Sequence, residues 1–254
     1  MTGQVHSSLA DGITVITLSR PEKRNAFNQA LREGLAREIE KAVDEVACKG
    51  VLITGEGAHF SVGGDADVFE QMTPSDLPDL LGAAHRCVTA IRQTRKPVIA
   101  AVEGYAAGGA TGLILACDAV VAAESAKFAF PFLNLGLVPD WGCVHFLQEK
   151  VGKGTARKIL MRSSVLSGQE AFDAGVVDDL CETGQALSVA GQLMQRYMRL
   201  PGEAWGYTKA MLNADCVNLQ QALAHEQTYQ EACFGAPAFR HAMEVFMGKR
   251  ASRA

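Results

Sequence analysis

Two glycine-rich turns constrain this chain more than any other feature. The first is Phe60-Ser-Val-Gly-Gly-Asp65 and the second is Gly104-Tyr-Ala-Ala-Gly-Gly-Ala110. Each follows a short apolar run, Val51-Leu-Ile-Thr54 in one case and Pro97-Val-Ile-Ala-Ala-Val102 in the other. Runs of this length and composition read as buried strands. Paired glycines behind a strand let the backbone approach a ligand closely and present N–H donors. The second pair opens an apolar helix over 110–117, where orphan N–H groups and the helix dipole favour negative charge. Two such turns, if they converge, form an oxyanion hole. No Gly-Lys-Ser/Thr follows either turn, and Rossmann spacing is absent, so neither is a nucleotide-phosphate loop.

The rest of the chain supplies a scaffold of the same kind. Residues 12–19 alternate and are β-branched, as a half-buried strand does. Residues 28–47 carry Leu31, Leu35, Ile39, Ala42 and Val46 at helical spacing, and 76–95 carry Leu80, Leu81, Ala84, Val88 and Ile91. Val120-Val-Ala-Ala123 is a further strand, and helices are expected over 141–150, 153–162 and 168–174. This alternation predicts an α/β core with largely parallel strands. Beyond residue 190 the strand signals cease, and 186–200, 203–214, 218–233 and 237–248 all read as helices. The chain therefore divides into a core over 1–190 and a helical oligomerisation region over 191–254.

Charge and cysteine usage narrow the function. The net charge of −4 lacks the basic bias of a nucleic-acid binder. No apolar run approaches the roughly 20 residues of a membrane span, and the N-terminus lacks the pattern of a secretory signal. The seven cysteines are scattered, with no Cys-x-x-Cys, as expected of free thiols in a reducing cytoplasm. No Cys, His and carboxylate cluster has metal-ligand spacing, so no metal is expected.

Four blocks occur in order: Arg20-Pro-Glu-Lys-Arg-Asn-Ala26, Phe60 to Asp65, Lys96 to Gly109, and Phe128-x-x-Pro-x-x-x-Leu-Gly-Leu-Val-Pro-Asp140. With the C-terminal Phe246-Met-Gly-Lys-Arg250, they resemble the signature blocks of the enoyl-CoA hydratase/isomerase (crotonase-like) family over nearly the whole chain. The resemblance implies a spiral core of ββα units, a C-terminal trimerisation region and an acyl-CoA thioester substrate. It implies a homotrimer or dimer of trimers, with no cofactor besides the CoA that belongs to the substrate. The oxyanion hole falls on the N–H groups of Gly64 and Gly109. Arg24 and Ala26 match contacts to the nucleotide of CoA. Val62, Gly63, Asp65 and Ala66 match the pantetheine and adenine path, beside Tyr105 and Gly108. Phe246 and Lys249 match residues that reach the nucleotide of a neighbouring subunit.

The family's hydratases use two glutamates. Their positions fall here on Gly112 and Phe132, neither of which transfers a proton. The carboxylate that stands near the expected acyl pocket is Asp140, in Leu137-Val-Pro-Asp-Trp-Gly142. Preceding a helix, Asp140 also suits a cap. An aspartate at this place resembles the acid/base of the PaaG-like isomerases, and one carboxylate suffices for a 1,3-proton shift. Phe130, Phe132 and Trp141 would raise its basicity by desolvation. His85, twelve residues before Pro97, adds a resemblance to 4-halobenzoyl-CoA dehalogenases, where an Asp attacks and a His activates water. The aromatic walls of that pattern fall on Gly64, Ala84 and Phe132, two of them small. The expectation is a Δ3-Δ2-enoyl-CoA isomerase. The alternatives are a dehalogenase-like or hydrolytic enzyme using Asp140 and His85, and an acyl-CoA-binding protein without catalysis.

Overall fold

The computed structural model describes residues 3–214 and 216–251, the last three by backbone alone. Its main sheet runs in the order β1 (Gln4–Ala10), β2 (Ile13–Ser19), β3 (Gly50–Gly55), β4 (Val98–Val102), β6 (Ala119–Ala123) and β9 (Asp179–Cys181). β1 pairs antiparallel with β2, and every other neighbouring pair is parallel. β4 and β6 are buried along their whole length, as parallel strands covered on both faces must be.

The strand period of two sorts the core. Val51, Ile53, Val98, Ala100 and Val102 face α1 (Gln29–Asp44) and α3 (Leu77–Gln93), whose predicted apolar stripes are buried at Leu31, Leu35, Ile39, Ala42, Leu80, Ala84, Val88 and Ile91. Val46, by contrast, lies beyond α1 and is exposed, and Leu81 is half-buried. Leu52, Ile99, Ala101, Ala119 and Val121 face the other way, onto Ala186, Ala190, Leu193 and Met194 of α7 (Ala186–Met198). A short helix, α2 (Ala66–Phe69), follows the first glycine turn, and α4 (Gly109–Ala116) follows the second.

Two sequence expectations need correction. The stretch Tyr105–Ala107, read as part of a turn, is strand β5; with β7 (Lys127–Ala129) and β8 (Val165–Ser167) it makes a second sheet. Three-residue strands carry too little pattern to be read alone and form because partners are already placed. The two helices expected over 141–150 and 153–162 are present and meet at a kink within α5 (Cys143–Met161), at Gly152, where φ 74° and ψ 156° depart from helix. β1 was not anticipated, because its side chains are mostly exposed and show no apolar alternation.

After α6 (Gly168–Asp173) and β9, α7 begins the helical run that continues as α8 (Gly202–Leu212), α9 (Leu219–Gly235) and α10 (Pro237–Ala251). Lys209 moors α8 to the core. Its Nζ donates to Asp118 Oδ2 at 2.7 Å and to the Lys96 carbonyl at 2.9 Å, and Asp118 Oδ2 also accepts the Val98 N–H. Burial pushes the Asp118 carboxyl up, against the opposing charge of Lys209. Along α9 and α10, Leu219, Leu223, Phe234, Val245 and Met247 are exposed. Among the described residues, no helix is long and apolar enough to cross a membrane. Lys209→Met strands a buried carboxylate and is expected to cost about 3–5 kcal/mol, measured by chemical denaturation.

Candidate active site

The two glycine turns are joined by hydrogen bonds. Ser61 N–H donates to the Tyr105 carbonyl at 2.9 Å, and Ala107 N–H donates to the Ser61 carbonyl at 3.0 Å. Beyond this bridge the chains approach too closely for side chains. Gly63 has φ +83°, and a Cβ there would stand 2.4 Å from the Ala107 oxygen. At Gly108 it is the backbone, with φ +54°, that disfavours a side chain, since a Cβ there would have room, 4.0 Å from the Gly63 Cα. Only glycine is comfortable in this backbone. Gly63 N–H is used by Ser61 Oγ at 3.1 Å and Gly108 N–H by the Ala129 carbonyl at 3.0 Å. Among the described residues, no recorded hydrogen bond uses the N–H of Gly64 or Gly109. Gly109 also stands at the first position of α4.

A buried ionic hook holds the first turn. Arg20 Nη1 meets Asp65 Oδ2 at 2.5 Å and also donates to the Ala26 carbonyl at 3.1 Å. Asn25 fixes the same loop, accepting the Arg20 N–H and donating to the Glu56 and His59 carbonyls. Burial pushes the Asp65 carboxyl up, but the Arg20 hydrogen bond and the Asp67 N–H outweigh it and hold it below its ordinary value. Phe27 N–H then donates to the Gly63 carbonyl at 2.6 Å, placing Phe27 beneath the turn.

Asp140 lies against α4, its carbonyl 3.0 Å from where a Cβ on Gly112 would stand. Trp141 behind it has φ 53°, left-handed backbone that costs a bulky residue about 1–2 kcal/mol. What it gains is burial: Trp141 is 1% exposed and stacks on Phe27 with centroids 4.9 Å apart. Its indole fills the space a side chain on Gly109 would need, with Nε1 2.5 Å from that Cβ position. A Cβ on Gly112 would meet Trp141 Cβ at 2.5 Å and the Asp140 carbonyl at 3.0 Å. The position matched to a hydratase glutamate is therefore filled by the Asp140-Trp141 backbone. Asp140 does not cap α5, where Gly142 holds the cap position without a side-chain bond. Its Oδ1 is buried without a partner, and burial pushes its carboxyl above the ordinary value, opposed by Arg32 and more weakly by His85.

Arg32 was not anticipated. It projects from α1, is 1% exposed, and leaves Nε and Nη1 without partners. The available signal was a charge inside an apolar stripe, three residues before Leu35 and four before Ala36. Its guanidinium lies 5.9 Å from the ring centroid of Phe69. That ring occupies the space above Gly64, with Cε2 and Cζ 2.2 Å from where a Cβ would stand. His85 is exposed on α3, near enough for its charge to act on Asp140, while Ala84 is buried.

The remaining predicted residues are dispersed around this cluster. Arg24 is exposed, and its carbonyl accepts the Val62 N–H, whereas Ala26 is buried. Val62 is half-buried and Ala66 exposed at the start of α2. Tyr105 is half-buried, with the Lys127 ammonium 5.9 Å from its ring centroid. Phe130 and Phe132 are buried on the approach to Asp140. Phe246 is exposed on α10, and the Lys249 side chain lies outside the described residues.

The two glycine turns are thus joined backbone to backbone, and Asp140 and Trp141 pack against α4 behind the second. The chain belongs to the enoyl-CoA hydratase/isomerase family, whose model matches residues 8–253. It is 33% identical to a 2,3-dehydroadipyl-CoA hydratase of Escherichia coli K12, over 94% of this chain and 93% of that protein. It is 30% identical to a 1,2-epoxyphenylacetyl-CoA isomerase of the same organism, over 96% and 95%. Among solved structures, an enoyl-CoA hydratase from Polaromonas sp. JS666 superposes with TM-score 0.91 at 31% identity, covering 97% of this chain and 98% of that one. Gly112→Ala forces a methyl against Trp141 and is expected to cost about 1–3 kcal/mol, read by denaturation with a changed near-ultraviolet dichroism.

Proposed function

We propose that the protein is a Δ3-Δ2-enoyl-CoA isomerase in which Asp140 is the acid/base. The observation that carries this reading is the filling of the Gly112 space by Asp140-Trp141, with Phe132 at the second glutamate position. Asp140 is then the carboxylate left to move protons. It takes the C2 proton of a 3-enoyl thioester, and the C–H electron pair passes into the thioester carbonyl. Gly64 and Gly109 N–H groups receive the oxyanion of the dienolate, each such donor being worth roughly 2.7–4 kcal/mol. Asp140 returns the proton to C4, and the electrons settle as the C2–C3 double bond. A ring acyl group fits the same scheme. CoA enters as part of the substrate, bound by Arg24, Ala26 and the 62–66 segment, and no further cofactor takes part. The exposed apolar residues of α9 and α10 support the tail as an oligomer contact, in a trimer or dimer of trimers.

Trans-3-hexenoyl-CoA is expected to be converted to the conjugated 2-enoyl thioester, followed by its absorbance. Asp140→Asn is expected to reduce kcat by about 10²–10⁴-fold; equal rates in mutant and wild type contradict the reading. The base acts deprotonated and its carboxyl is pushed up, so kcat/KM should fall on acidification at a pH above the ordinary carboxylate range.

A second reading rests on the nearness of His85 to Asp140. There Asp140 forms a C–O bond with the acyl carbon, expelling CoA thiolate, or with a halogen-bearing ring carbon, expelling halide. His85 takes a proton from the water that hydrolyses the resulting anhydride or ester and frees Asp140. His85→Gln should abolish such hydrolytic or dehalogenating turnover, yet change isomerisation by less than about threefold. Loss of isomerisation in His85→Gln would count against the first reading.

A further inference from the structure

Arg32 is a fully buried guanidinium for which the described residues supply no ion pair. Burying an unpaired charge costs several kcal/mol, and arginine cannot escape by losing its proton. The other charges nearby are already committed. Asp65 is held by Arg20, and Arg86 is held by Glu33 and Glu40. The groups that face Arg32 and Asp140 come from every packed element: His85 and Cys87 from α3, Cys143 from α5, and Asp65 from the glycine turn. Burial pushes both thiols up, so they stay protonated and uncharged. Asp140 is thus the first electrostatic partner of Arg32, yet each keeps buried polar atoms unsatisfied. Phe69 lies against Arg32 and also covers Gly64, so the same guanidinium borders the oxyanion turn.

We propose that Arg32 is a positioning residue that neutralises Asp140 before proton abstraction and the dienolate after it, an inference resting on the isomerase reading. The charge count requires such a partner. Abstraction moves one proton from C2 to Asp140 and one negative charge from Asp140 to the dienolate. Reprotonation at C4 reverses both transfers. Throughout, one negative charge stays within the buried space around one fixed positive charge, so neither state holds an uncompensated ion. A direct Arg32–Asp140 bond would hold the carboxylate in its resting state; a charge held short of contact serves both states. Direct contact between Arg32 and the substrate is not required by this role.

The test compares wild type, Arg32→Met and Arg32→Lys by NMR titration of the Asp140 carboxyl and by kinetics with trans-3-hexenoyl-CoA. Arg32→Met fills the same space, and the Asp140 left beside it can take up a proton rather than stay a buried ion, so folding is expected to survive, checked by thermal denaturation. The Asp140 titration should move to higher pH in Arg32→Met, and the acidic limb of kcat/KM with it. Its kcat should fall about 30-fold with KM changed little, since charge-assisted interactions of this kind are worth a few kcal/mol. Arg32→Lys should restore the titration and most of kcat. An unchanged Asp140 titration in Arg32→Met, or equal losses in both variants, overturns the proposal. The titration needs no turnover, so a silent wild type would sink the isomerase reading while the charge partnership is still decided.

Discussion

The site depends on where Trp141 is packed. Its indole stacks on Phe27, displaces any side chain at Gly109, and its Cβ closes the space at Gly112. Phe27 in turn carries the first glycine turn through its N–H bond to Gly63. One side chain therefore packs against both the support of the first turn and the start of α4, just after Asp140 in the chain. A left-handed backbone at a bulky residue persists only where packing over-determines it, and here the packing is complete. The same contact explains why the chain departs from the two-glutamate arrangement of the family's hydratases. A side chain at Gly112 and an indole at Trp141 compete for one volume.

Around this contact the protein buries more charge than stability alone favours. Arg20 and Asp65 satisfy each other, and Lys209 and Asp118 do likewise beneath α8. Arg32 and Asp140 do not. Partly satisfied buried polar groups are the places where a fold gives up stability for function. The two satisfied pairs are structural: one holds a turn and the other moors a helix. Arg32 borders the first glycine turn through Phe69, where the proposed isomerisation would move a charge.

Much of this was legible in the residues. The continuous apolar runs at Val51 and Val98, each followed by paired glycines, announced parallel buried strands feeding ligand-facing turns. The apolar stripes of α1 and α3 named their own buried faces. Other features depend on tertiary pairing. β5, β7 and β8 are three residues each and exist because the first turn, α4 and α6 hold them together. The break at Gly152 was legible only as a glycine between two helical patterns. Arg32 was hidden by habit, since a charge on a helix is usually solvated and only its place within the stripe marked it as buried. That Asp140 leaves α5 uncapped depended on the left-handed turn at Trp141 and Gly142, which residue types alone do not announce.

The central claim is that one buried carboxylate carries the proton between two carbons. It is tested most directly by following deuterium from C2-deuterated trans-3-hexenoyl-CoA in ordinary water. A single sheltered base delivers part of the label to C4 of the 2-enoyl product, read by mass spectrometry and NMR. Product whose C4 proton comes only from solvent, with no label transferred, would contradict a lone Asp140 and require a second proton-transferring group.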